Sequence, residues 1–66
     1  MNVLVNGKER EVDPVAHLAD LVAVLGVDPS HVVVECDGVI VRREHMGAVP
    51  VKPGARVEII HFVGGG

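Results

Sequence analysis

Four histidines, one cysteine and nine carboxylates are the side chains in this sequence with chemistry to offer. His17, His31, His45 and His61 stand 14, 14 and 16 residues apart, and no pair has the i, i+4 spacing that puts two imidazoles on one helix face for zinc. They read as surface or capping residues, and no metal site is expected. Cys36 lacks a third group to orient a histidine partner, so it reads as a small strand residue rather than a nucleophile. The carboxylates are scattered and offer no acid/base pair. Asn6-Gly7 and Asp37-Gly38 are turn dipeptides, and no glycine loop that would cradle phosphate precedes a helix. No catalytic side chain emerges. What remains is main chain: the sequence closes on Gly64-Gly65-Gly66 after the apolar run Val57 to Val63. Glycines order at high entropic cost and pack nothing, which by itself means only a mobile end. Without Cβ atoms, however, such a tail threads a narrow cleft and carries the Gly66 carboxylate to another protein's reactive centre. At about 3.3–3.6 Å per residue, residues 63 to 66 reach roughly 13 Å beyond a folded body.

A body must hold that tail. At 66 residues it is one domain near the lower size limit, and a lone cysteine excludes an internal disulfide or a four-cysteine centre. A hydrophobic content of 48%, dominated by valine, has to supply the core and favours strands. Net charge is −3 with Lys and Arg dispersed, and Phe62 is the only aromatic. Neither a basic patch nor a stacking platform for nucleic acid is present. No charged-then-apolar leader and no run of about 20 apolar residues occurs, so a cytoplasmic protein with no membrane association is expected.

Residues 2–6 predict a strand, Asn6-Gly7 a type I′ turn and residues 8–12 the returning strand. Leu18, Leu21, Val22 and Leu25 fall at i, i+3, i+4, i+7, the stripe of a short helix. His17 with Asp20 suits its start, and Gly26 with Pro29 its end. Val32-Val33-Val34 opens a third strand, Asp37-Gly38 turns it, and Val39-Ile40-Val41 returns. After Arg42-Arg43-Glu44-His45-Met46 an irregular stretch with a turn of helix is expected, Val49-Pro50-Val51 reads as a short edge segment, and Pro53-Gly54 turns into a last strand over 56–62. The class is α+β: a mixed sheet with one helix across one face, the last strand beside the first. Residues 1–63 form the domain and 64–66 a flexible tail.

Alternation sends Val3, Val5, Val57 and Ile59 toward the helix. Leu4, Ile60 and Phe62 then form an apolar patch on the face with no second helix to cover it, a docking surface for a partner.

The ending Val57-Glu58-Ile59-Ile60-His61-Phe62-Val63-Gly64-Gly65-Gly66, with Pro53-Gly54 before it, resembles that of the ThiS sulfur carriers of thiamin biosynthesis. So do Val3-Leu4-Val5-Asn6-Gly7, the helix from Leu18 to Gly26, and the hairpin from Asp37 to His45. The likeness spans nearly the whole sequence. Its departures are local: Val41-Arg42-Arg43 replaces Val-Pro-Arg, an aromatic near Met46 is missing, and His17 stands where Ser or Thr often caps. The resemblance implies a β-grasp, ubiquitin-like fold and a protein cosubstrate rather than an enzyme. In such carriers a ThiF-like adenylating enzyme uses ATP and Mg to activate the carboxylate, here that of Gly66, with Gly64 and Gly65 threading its cleft. A sulfur donor protein converts it to a thiocarboxylate, and a ThiG-like thiazole synthase takes the sulfur. No cofactor is bound by the carrier itself. A MoaD-type or other metabolite sulfur carrier, a ubiquitin-like protein modifier and a passive β-grasp interaction module remain alternatives.

Overall fold

The computed structural model describes residues 1–62. Five strands, β1 (Asn2–Val5), β2 (Lys8–Glu11), β3 (Val32–Cys36), β4 (Val39–Val41) and β5 (Arg56–His61), form one sheet in the order β2-β1-β5-β3-β4. β1 and β5 run parallel at its centre, and the other neighbours are antiparallel. One helix, α1 (Leu18–Val24), crosses one face. This is the α+β arrangement of the β-grasp fold.

Local chemistry sets the corners. Asn6 (φ 51°) with Gly7 (φ 80°), and Asp37 (φ 51°) with Gly38 (φ 87°), each occupy the two left-handed positions of a type I′ turn. Asn and Asp tolerate that region because their short polar side chains can bond locally, and glycine because it has no Cβ. The start of α1 has the Asp20 carboxylate accepting from the His17 N–H at 3.2 Å. At its end Gly26 takes φ 73°, while the Gly26 N–H donates to the Ala23 carbonyl and the Val27 N–H to that of Val22. Those two bonds make a Schellman close.

Leu18, Leu21 and Val22 lie buried on the helix-facing side of the sheet with Val3, Val5, Val34, Val57 and Ile59. Each fully buried leucine contributes about 1.5–3 kcal/mol, enough to fix a helix too short to persist alone. Cys36 is buried in the same layer, as a small strand residue. Burial, followed by the neighbouring Asp37 charge, pushes its thiol pKa up, so the nucleophilic thiolate is disfavoured.

One segment departs from its expectation. Val49-Pro50-Val51 does not extend the sheet: it forms an isolated antiparallel bridge, His17 to Pro50, with the lead-in to α1. The Leu18 N–H donates to the Val49 carbonyl at 2.8 Å and the Val51 N–H to that of Ala16 at 3.0 Å. Leu18 carries one of the amides that a helix start leaves without an internal partner, and residue 49 satisfies it. The intervening residues 43–48 coil as a 3₁₀ turn that buries Met46. No helix among the described residues is long and apolar enough to cross a membrane.

Candidate functional site

The root of the tail is built from the outside inward by hydrogen bonds onto β5. On one side, the Asn6 side chain acts as an extra peptide group. Its Oδ1 accepts from the Ile59 N–H at 2.7 Å, and its Nδ2 donates to the Ile59 carbonyl at 3.2 Å. On the other side, Asp37 Oδ1 accepts from the Arg56 N–H at 2.9 Å, and the Asp37 N–H donates to the Arg56 carbonyl at 2.8 Å. The two turn residues thus grip β5 from opposite neighbours, one near its start and one near its end. β3 stays paired as far as Val32 opposite His61, and the Phe62 N–H then donates to the His31 carbonyl at 3.3 Å. The backbone is fixed up to the residue before Val63. Gly64, Gly65 and Gly66, and the boundary expected between domain and tail, lie outside the described residues.

The sheet face opposite α1 carries the three residues expected to dock a partner, but it divides them. Ile60 is 52% exposed and Phe62 50% exposed, and alternation along β5 places them on the same side. Leu4 shares that face yet is half-buried, in register with Arg56. Ile60 lies four positions along β5 from Arg56, so Leu4 stands about 13 Å along the strand from the Ile60 end. Glu58 comes between. The apolar patch of the sequence reading therefore contracts to Ile60 and Phe62 at the tail end, without Leu4.

Two residues that sequence reasoning missed extend it. Val33 pairs with Ile60 and is 36% exposed, and Ile40 is 64% exposed opposite Glu35. The run Val32-Val33-Val34 conceals which valines face outward, because phase along an unbroken apolar run is set only by pairing. The register of the Asp37-Gly38 turn was the available signal for Ile40.

Between the two ends the face is polar. Leu4, Glu35, Asp37, Arg56 and Glu58 line a shallow concavity of about 520 Å³. Glu35 lies directly across from Glu58. The histidines do not gather: among the described residues, no three of His, Cys, Asp or Glu converge as metal ligands. His17 sits beside Asp20 at the start of α1 and His31 beside Asp28 in the turn before β3. A backbone hydrogen bond from Ser30 holds the Asp28 carboxyl below its usual range.

Known proteins share this architecture. The crystal structure of a thiamine biosynthesis protein (ThiS) from Geobacter metallireducens is 39% identical and superposes with a TM-score of 0.84, each chain covered in full. A solution structure of a thiamine biosynthesis protein from that organism gives a TM-score of 0.80 at 39% identity, covering all of this chain and 88% of the other. Thiazole synthases from Magnetococcus marinus and Paramagnetospirillum magneticum match all 66 residues at 33% and 36% identity. The chain spans about 20% of the length of each of those synthases. A family model, that of the ThiS family, matches residues 3–66, from the first strand through the closing glycines. With a match over nearly its whole length and a fold shared with a ThiS crystal structure, the chain belongs to the ThiS family.

Proposed function

We propose that this protein carries sulfur for thiazole formation in thiamin biosynthesis as a thiocarboxylate on Gly66. The observation that carries the reading is the extent of the family match, which runs through Gly64-Gly65-Gly66. A carboxylate is a poor electrophile. Its attack on the α-phosphate of ATP releases pyrophosphate and leaves an acyl-adenylate, and a sulfur nucleophile then displaces AMP at the carbonyl carbon. A ThiF-like adenylating enzyme supplies Mg-bound ATP, a sulfur donor protein the sulfur, and a ThiG-like thiazole synthase receives it. The carrier acts as a cosubstrate: it contributes position, and its partners contribute the acids, bases and metal. The hold of Asn6 on Ile59 and of β3 on His61 and Phe62 supports this role, since it anchors the end of β5 from which the closing residues continue. The matches to thiazole synthases more than four times as long point to a synthase as a partner.

The test is intact-protein mass spectrometry after incubation with ATP, Mg²⁺, a ThiF-type enzyme and a sulfur source. A gain of about 16 Da, one oxygen exchanged for sulfur, is expected. An unchanged mass, with no pyrophosphate released, refutes the proposal.

A further inference from the structure

The middle of the open face breaks a rule of sheet stability. Glu35 and Glu58 are in register on adjacent central strands, and like charges directly opposite one another destabilise a sheet. Both are half-buried, and neither carboxylate accepts a hydrogen bond or an ion pair from any described residue. Asp37, beside them, is already engaged by the Arg56 N–H, and Arg56 itself forms no ion pair among the described residues. Exposed aliphatic side chains border the pair, with Ile40 opposite Glu35 on β4 and Ile60 two residues beyond Glu58. An acidic pair that shares its concavity with Arg56 but forms no ion pair with it, bordered by exposed aliphatic side chains, is the complement of a surface that offers one cation among apolar groups.

Resting on the carrier reading above, we infer that this face docks the thiazole synthase, with one arginine or lysine side chain of the synthase entering between Glu35 and Glu58 while its apolar neighbours cover Ile40, Val33 and Ile60. A guanidinium suits the position, because its planar fork can meet both carboxylates at once. A synthase fits this face as occupant because segments similar to this chain make up about 20% of two thiazole synthase chains. There the carrier segment and the larger protein share one polypeptide, and a weak, charge-guided contact suffices at the high effective concentration that linkage gives.

The inference is tested with the double variant Glu35→Gln/Glu58→Gln and the purified thiazole synthase of the same organism, by titration calorimetry at about 0.05 and 0.5 M salt. The variant should bind at least about 10-fold more weakly at low salt, and its affinity should vary less with salt than that of the wild type. Its Tm should hold or rise by a few degrees, because the repulsion is gone. Stability and affinity moving in opposite directions is the signature, which a merely structural pair would not give. If the double variant loses structure, Glu58→Gln alone repeats the test with half the charge removed. Equal binding by variant and wild type overturns the inference, as does a wild-type protein that ignores the synthase or a face that instead buries a second copy in sedimentation. Adenylation by a ThiF-type enzyme, measured in parallel, separates the two levels. A wild-type chain that is adenylated, with binding indifferent to both glutamates, refutes only the docking mode, and a chain never adenylated refutes the carrier reading.

Discussion

Asn6 shows how much one residue does beyond its turn. Its place in Asn6-Gly7 is legible, since few residues accept a φ of 51°. Its second duty is not, because the amide meets Ile59, 53 residues away, only after β1 and β5 align. The two roles separate by substitution. Asn6→Gly keeps the turn and removes the amide, leaving the Ile59 N–H and carbonyl without that partner, and should cost about 1–2 kcal/mol in urea denaturation. Asn6→Asp keeps the acceptor but sets a carboxylate against the Ile59 carbonyl, and should cost at least as much near neutral pH. A glycine variant as stable as wild type would show that solvent replaces the clamp freely. At Phe62 the balance reverses. Half its surface is exposed and it lies outside the core, so Phe62→Asp should leave Tm within a few degrees while weakening the adenylating enzyme's binding by roughly 2 kcal/mol, about 30-fold. A large fall in Tm with unchanged affinity would put Phe62 in the core.

At the scale of elements, the helix was the most readable part and the residues after β4 the least. The stripe Leu18, Leu21, Val22, Leu25 follows directly from a 3.6-residue period; its first three members are the buried residues of α1, while Leu25 caps the helix end and is only partly buried. Val49-Pro50-Val51 has the composition of an edge strand, but its partner is decided by an unmet amide at the start of α1, a tertiary demand with no local signature. The outward phase of Val33 was lost for a similar reason, since three successive valines carry no alternation to read. The division of α1 into two faces makes a direct comparison possible. Leu21→Ala empties a fully buried position and should destabilise by about 2–5 kcal/mol, whereas Val24→Ala, on the exposed side, should change stability by less than about 0.5 kcal/mol. Chemical denaturation of the two variants measures this difference, and equal losses would contradict the packing of the helix on the sheet.

In the whole molecule, the strand order matters more than any single contact. Placing β5 between β1 and β3 makes the last strand a central one, held by β1 and Asn6 as far as Ile59 and by β3 as far as His61. Among the described residues, every member of the buried core lies at or before Ile59. The glycines beyond it were prominent in the sequence because they carry no side chains, and the chemistry proposed for them is correspondingly main-chain chemistry. Body and tail should therefore fail independently. The core and the hydrogen bonds onto β5 described above all lie within residues 1–62, so deleting Gly66 should leave Tm within about 2 °C of wild type. The carboxylate, however, would be drawn back by about 3.5 Å, one extended residue, and an in-line attack on the α-phosphate of ATP tolerates no such displacement. ATP–pyrophosphate exchange with a ThiF-type enzyme should fall to background. Exchange at the normal rate would mean that the tail's length is not what brings the reacting atoms together, whereas a deletion that unfolds the protein would mean that the closing glycines belong to the body.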